Sequence, residues 1–114
     1  MLARKFRLTS HTDFKRVQEL GKTYQSPNFG IAILERTDDL PTRFAFIIST
    51  KIAKDAVDRN TIRRHMSETV RLITNDIKNG RDVVFLAKTS IMRIPAEALV
   101  REVRSAVRES GLMK

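Results

Sequence analysis

The chain has 114 residues, which is enough for one compact domain and too few for two of typical size. Its 41% hydrophobic and 31% charged residues exclude a disordered chain, and the lack of a long uncharged run excludes a membrane span. The net charge of +9, from 22 Lys and Arg against 13 Asp and Glu, points to an anionic partner.

We therefore predict a single domain over residues 1–114, with a basic N-terminal arm at residues 1–9. The chain contains no cysteine, which fits a reducing compartment. Its N-terminus is basic but lacks the apolar core of a secretory signal. We expect a cytoplasmic protein.

The excess positive charge is concentrated in two segments. Residues 1–16 carry five basic and one acidic side chain (+4), and residues 51–64 carry five basic and two acidic (+3). Such concentration favours a surface that binds nucleic acid. An anionic membrane is the weaker alternative, because neither segment has the wide apolar face of an interfacial helix.

The first predicted helix follows the arm. Ser10 is suited to cap its N-terminus and Gly21 to end it, and Phe14, Val17 and Leu20 form an apolar stripe between them.

Three segments are rich in β-branched and aromatic residues and predict strands, at residues 29–34, 43–50 and 82–88. The turn-forming TDDLPT between the first two predicts an antiparallel pair. The third strand is almost continuously apolar, which is typical of a strand covered on both faces. We expect Phe44, Phe46 and Phe85 to lie in the core rather than to stack on unpaired bases.

A second helix is predicted from Asp55, a candidate N-cap, to about Asn79, where Asn79-Gly80 supplies a left-handed stop. Pro95 opens the last helix. The order α-β-β-α-β-α predicts an α+β fold, with helices packed on a small mixed β-sheet.

The second helix has two faces on a helical wheel. Its core-facing stripe consists of Ile62, Met66, Val70, Ile73 and Ile77, and its polar stripe consists of Asn60, Arg64, Arg71 and Lys78, with Arg63 at the edge. Arg59 falls on the apolar side. It either emerges over the N-terminal end of the helix or lies along the sheet edge.

The arginine cluster at 59, 63 and 64 has two interpretations. It is either an ordinary solvated face or a surface that binds phosphate. Arginines near a helix N-terminus oppose the macrodipole at a cost of a few tenths of a kcal/mol each, whereas the exposed N–H groups there attract phosphate. Arginine also suits bidentate phosphate contacts, and these points favour the second interpretation.

Signals for protein catalysis are absent from the sequence. Gly21-Lys22-Thr23 resembles the end of a phosphate-binding loop, but the required earlier glycine is Arg16. His11 and His65 are the two histidines and lie on different predicted helices, which argues against a metal site. No spacing predicts a Ser-His-Asp or paired-acid site, so we predict no catalytic or metal-binding residues in the protein.

The motifs and their order resemble the protein subunit of bacterial ribonuclease P over nearly the whole chain. The resemblance begins with Arg7, Leu8, Asp13, Phe14, Val17, Gly21 and Lys22, and continues through Ser49-Thr50-Lys51. It is strongest at Ala56, Val57, Arg59, Asn60, Ile62, Arg63, Arg64 and Glu68, which look like the family's A-V-x-R-N-R-I-K-R helix.

This resemblance implies a sandwich like domain 2 of ribosomal protein S5, with a left-handed β-α-β crossover that the general right-handed rule does not predict. It implies that the partners are a catalytic RNA and precursor tRNA, whose 5′ leader the enzyme removes. The reaction would use Mg²⁺ bound mainly by the RNA, with none bound by the protein alone. The protein is expected to be a monomer apart from RNA, with no membrane partner.

The resemblance also assigns residues to two roles. RNA binding is expected at Lys51, Lys54, Arg59, Asn60, Arg63, Arg64 and Arg71. The leader is expected in a cleft between the first helix and the sheet, near Arg7, Phe14 and Lys22.

The sequence departs from the family pattern at several positions. Thr61 replaces the third residue of R-N-R, and Thr50 replaces a lysine, leaving Lys51 and Lys54. Gln18 and Ala32 stand where the family often places further aromatics, so RNA docking is better supported than aromatic contact with the leader. The alternative function is a ribosomal or other structured-RNA-binding protein. A DNA-binding module and a free-standing protein nuclease are weaker alternatives.

Overall fold

A four-stranded sheet with helices on both faces forms the framework of the molecule. The computed structural model describes residues 2–114, and the fold is α+β, as predicted. The strands are β1 (Lys22–Gln25), β2 (Phe29–Glu35), β3 (Arg43–Ile47) and β4 (Arg81–Ala87). The α-helices are α1 (His11–Leu20), α2 (Ala56–Arg71) and α3 (Ala96–Glu109).

The sheet has the strand order β1-β2-β4-β3. β4 is antiparallel to β2 and parallel to β3, and α2 connects β3 to β4. The predicted antiparallel pair of residues 29–34 and 43–50 is wrong, because β4 inserts between the two strands. The physical reason is the apolar character of β4, whose Val83, Val84 and Phe85 are buried and need neighbours on both sides. The left-handedness of the crossover stays a prediction.

The order of elements contains one strand more than predicted. β1 has the sequence KTYQ and lacks the run of apolar residues that identifies a strand. It forms because the antiparallel register Lys22↔Ile33 to Gln25↔Gly30 completes the sheet, with Tyr24 packed against the core.

The main core lies between the sheet and the pair α2 and α3. Phe85 is its centre, with ring centroids 5.6, 6.5 and 5.1 Å from those of Phe29, Phe44 and Phe46. The prediction that Phe44, Phe46 and Phe85 are core residues is confirmed. The apolar stripe of α2 is confirmed for Ile62, Met66 and Val70, which are buried, whereas half-buried Ile73 and buried Ile77 lie beyond the end of the helix.

The opposite face of the sheet carries a smaller core under α1. Its buried members are Leu8, Val17, Ala32 and Val84, and half-buried Phe14 packs against them. Val17 is the buried residue of α1, so this helix is attached to the sheet by a small apolar contact.

The N-terminal segment packs along the edge strand β3. The backbone N–H of Leu8 donates to Phe44 O at 2.8 Å, and Arg7 forms a parallel bridge with Phe44. Leu2 is buried in the main core. The residues predicted as an arm therefore cover part of an otherwise open sheet edge.

Both ends of α1 form as predicted, although Gly21 is needed for a different reason. Ser10 Oγ accepts a hydrogen bond from Asp13 N at 3.4 Å, and Gly21 N donates to Val17 O. Gly21 has an ordinary φ of −72°. Any Cβ at that position would lie 2.5 Å from Val17 O, so close backbone approach requires the glycine.

The predicted end of α2 at about Asn79 is wrong, because the helix ends at Arg71 and a 3₁₀ turn follows at Thr74–Asp76. Gly80 does adopt the predicted left-handed conformation, with φ of 81°, but there it turns the chain into β4. Asp55 occupies the N-cap position of α2 without a side-chain capping bond. None of the helices in residues 2–114 combines the length and apolar character needed to cross a bilayer.

A buried carboxylate joins the sheet to its surroundings. Asp82 accepts bonds from Arg43 Nε at 2.9 Å and Nη2 at 2.8 Å, and from Arg36 Nη1 at 2.6 Å. Arg43 Nη2 also lies 3.2 Å from Asp13 on α1, and Arg36 pairs with Asp38. The bonds to Asp82 raise the pKa of Arg43, and the bonds from Arg36 lower the pKa of Asp38. The network links α1, β3, β4 and the loop before β3.

We expect Asp82→Ala to lower the free energy of unfolding by about 3 kcal/mol, because it leaves Arg36 and Arg43 without their shared buried partner. Urea unfolding measures the change. Asp39→Ala, in the exposed loop before β3, is the control and is expected within about 0.5 kcal/mol of the parent. Equal losses in both variants would contradict a special role for the buried carboxylate.

Candidate nucleic-acid interface

Arg59 holds the basic loop that precedes α2. Its Nη1 donates to the carbonyl oxygens of Ala53 at 2.8 Å and Lys54 at 2.7 Å, while Ala53 N donates to Ser49 O. The sequence left two positions open for Arg59, the N-terminal end of the helix and the sheet edge. The structure places it at the N-terminal end. Lys51 and Lys54 are exposed on the loop that it braces, so the loop presents its charges from a restrained backbone.

Arg63 connects α2 to the edge strand. Its Nε donates to Phe46 O at 3.3 Å, and its Nη1 donates to Asn60 Oδ1 at 2.8 Å. Two carbonyls of β3 are thus used at the open edge, Phe44 O by Leu8 N and Phe46 O by Arg63. The bond to β3 explains why Arg63 falls at the edge of the polar stripe on the helical wheel of α2.

A groove lies between α2, β3 and the N-terminal segment, which we call the α2 groove. It has a volume of about 950 Å³. Its apolar floor includes Leu8, Ala45 and Ile47, and its polar rim includes Arg7, Asn60, Arg63 and Arg64. A trough with an apolar floor and a cationic rim can contact both the bases and the phosphates of a nucleic acid.

The outer face of α2 presents further polar groups. Arg64 is exposed, and its guanidinium has no hydrogen bond or ion pair within residues 2–114. Arg71 is also exposed and pairs with Glu68 at 2.9 Å. Thr61 donates from its Oγ1 to Val57 O at 2.9 Å. The hydroxyl of Thr61 therefore serves the helix, and the groove has no cation at this position.

The three residues assigned to the leader cleft are spread across the sheet. Arg7 lies outside β3 and lines the α2 groove, whereas Lys22 pairs with Ile33 at the opposite edge. Phe14 packs on the sheet face between those edges. The structure brings Arg7 to the rest of the groove but separates Lys22 from it by β2 and β4.

The floor of the groove was not predicted from the sequence. Ala45 and Ile47 alternate along β3 with the buried Phe44 and Phe46, so a period of two was the signal that places them on the other face. Ala32 is buried there in the smaller core.

Potential catalytic and metal-binding groups are dispersed. His11 and His65 lie on α1 and α2 respectively. Within residues 2–114, no group of three or more His, Asp or Glu side chains could hold a metal ion. The α2 groove is lined by one described carboxylate, Glu68, which is paired with Arg71. Its chemistry suits an anionic ligand better than a metal ion.

Comparisons with known proteins agree with this description. The family model described as Ribonuclease P matches residues 2–111. The Ribonuclease P protein component of Clavibacter michiganensis is 33% identical over 107 residues, covering 94% of each chain. That of Oleidesulfovibrio alaskensis is 34% identical over 112 residues, covering 96% of this chain and 89% of its own.

Solved structures of ribonuclease P proteins share the fold. The Staphylococcus aureus protein superposes with a TM-score of 0.89 at 17% identity, covering 96% of this chain and 98% of its own. The Thermotoga maritima protein has a TM-score of 0.79 at 20% identity, covering 90% of this chain and 96% of its own.

We expect Arg59→Gln and Arg64→Gln to differ in their effect on stability, because Arg59 braces the basic loop and Arg64 does not. Arg59→Gln should lower the free energy of unfolding by about 1 to 2 kcal/mol, because it leaves two loop carbonyls without their donor. Arg64→Gln should stay within about 0.5 kcal/mol of the parent. Urea unfolding of both variants checks this, and equal stability would show that the Arg59 contacts do not brace the loop.

Proposed function

The chain belongs to the ribonuclease P protein family, and on that premise we propose that its α2 groove binds the catalytic RNA of the enzyme. Members of this family are subunits of the ribonucleoprotein that processes tRNA, so the chain has an RNA partner and acts as part of an enzyme. The observation that carries the proposal is the cationic rim of an open groove, formed by Arg7, Arg63 and Arg64.

The cations near the groove take two roles in this proposal. Lys51, Lys54 and Arg64 are exposed and free to contact phosphates, and they extend the charge of the rim along the loop and the helix. Arg59 and Arg63 each use part of the guanidinium to hold protein carbonyls. These bonds hold both side chains in place, so less side-chain entropy is lost when their remaining donors bind RNA.

RNA contacts are proposed along the basic loop and α2. The contacting residues are Lys51, Lys54, Arg59, Asn60, Arg63, Arg64 and Arg71. Because Arg71 pairs with half-buried Glu68, its contribution is smaller than that of Arg64.

We assign the 5′ leader of precursor tRNA to the sheet face beside α1. A single strand that crosses this face from β3 to β1 passes Arg7, Phe14 and Lys22 in turn. Half-buried Phe14, which packs on this face, supports contact with unpaired bases, because bases expose an apolar face when they leave a duplex.

Catalysis is assigned to the RNA and its Mg²⁺ ions. The protein residues do not fit a metal cage, since the described lining of the groove contributes one ion-paired carboxylate. The proposed work of the chain is to hold RNA, to place the leader and to reduce electrostatic repulsion between two polyanions.

Reconstitution tests the proposed function. The chain is mixed with the catalytic RNA of its own organism at low Mg²⁺, and cleavage of precursor tRNA is measured. We expect stimulation over the RNA alone, because cations on the protein replace part of the screening that Mg²⁺ provides. No stimulation, together with tight binding to ribosomal RNA, would instead favour a ribosomal or other structured-RNA-binding protein.

Two opposite charge changes on α2 test the binding surface. We expect Arg64→Gln to weaken binding of the catalytic RNA and to flatten its salt dependence by up to about 0.9 log unit for a duplex-like site. Thr61→Arg should tighten binding and steepen the same dependence, because it adds a cation to the groove. Binding titrations over a salt series measure both slopes. Slopes unchanged in both variants would leave the cluster as an ordinary solvated face.

A further inference from the structure

Helix α3 carries a second basic surface that the charge count does not reveal. Arg101, Arg104 and Arg108 are exposed, and we call them the α3 stripe. At about 100° per residue they fall within an arc of about 60°. The buried residues Leu99, Val103, Ala106 and Val107 lie on the other side of the helix. The stripe therefore points away from the core.

Two of the three acidic residues of α3 are directed elsewhere, and exposed Glu97, one turn before Arg101, forms no ion pair with the stripe within residues 2–114. Glu102 accepts bonds from Ser26 Oγ at 2.5 Å, Asn28 N at 2.9 Å and Asn28 Nδ2 at 2.5 Å. Glu109 accepts a hydrogen bond from the Tyr24 hydroxyl. Both carboxylates are committed to the β1–β2 hairpin, so neither neutralises the stripe.

The segment Ala96–Glu109 has a net charge of zero, since three Glu balance three Arg. Its outer surface is still basic, because that surface carries all three Arg and, of the three Glu, Glu97. Within residues 2–114, no hydrogen bond or ion pair is made by the guanidinium groups of the stripe. Arg108 lies in the last turn, where the helix dipole favours a cation. Arg101 and Arg104 lie farther from that end and gain little from the dipole.

We propose that the α3 stripe is a second RNA-binding surface, which holds the phosphate backbone of a helical RNA segment. Arg101 and Arg108 are about 10 Å apart along the helix axis, and their guanidinium groups suit bidentate phosphate contacts. Charge complementarity selects this partner, because the stripe is cationic and lacks an apolar groove of its own.

The stripe and the α2 groove are separate surfaces. The side of α2 that faces α3 includes Ile62 and His65, which line a small cleft with Leu99. The α2 groove is on the β3 side and is lined by Arg63 and Ser67. Because the body of α2 lies between them, one RNA segment in the groove leaves the stripe available to another segment.

The test compares two pairs of substitutions that remove the same charge. Arg101→Gln with Arg104→Gln changes the stripe, and Arg93→Gln with Lys114→Gln changes two exposed cations outside it. Each protein is titrated over a salt series with the catalytic RNA of its organism and, separately, with precursor tRNA. Circular dichroism verifies that each variant is folded.

The stripe variant is expected to weaken binding and to flatten the salt dependence by up to about 1.8 log units for two lost duplex contacts, with the control pair unchanged. The RNA that shows the change identifies the source of the phosphates. Slopes unchanged with both RNAs, or equal flattening in the control pair, would overturn the proposal. Arg64→Gln is measured alongside, because an effect there without one at the stripe refutes the second surface while leaving the groove in place.

Discussion

The carboxylate of Asp82 is the interaction on which the arrangement of this molecule depends. It is buried in β4, opposite Leu34 in β2 and Arg43 in β3. Two arginines hold it, and one of them reaches onward to Asp13 at the start of α1. A buried charge needs such partners. The pairing therefore stabilises α1 over the far face of the sheet and β3 at its edge, where β3 forms one side of the α2 groove.

An edge strand usually needs protection from further pairing. Here the protection comes from the N-terminal segment and from Arg63, each of which occupies a carbonyl of β3. Arg59 occupies two carbonyls of the preceding loop in the same way. These bonds offset the unfavourable effect of arginines near a helix N-terminus. The same cations thus complete the fold and line the surface assigned to RNA, so binding chemistry and local stability are coupled in α2.

Patterns within single elements were predictable. The apolar stripe of α2, the limits of α1 and the apolar central strand follow from periodicity and capping residues, and the buried phenylalanines follow from strand alternation. The same patterns placed Arg63 and Arg64 together in the candidate site, because both residues lie on one helix. The short β1 and the early end of α2 were missed. Both depend on neighbours distant in the chain, which override weak local preference.

The sequence by itself determined the α+β fold class, the helix that carries the arginine cluster and the membership of a family whose motifs follow one another along the chain. Only the tertiary structure decided that β4 separates β2 from β3, that Arg7 joins the α2 groove, and that Glu102 and Glu109 turn away from the arginines of α3. The physical reason is range. Periodicity and capping act between residues a few positions apart, whereas strand order and ion pairing join residues that are distant in the chain and become neighbours only when the cores form.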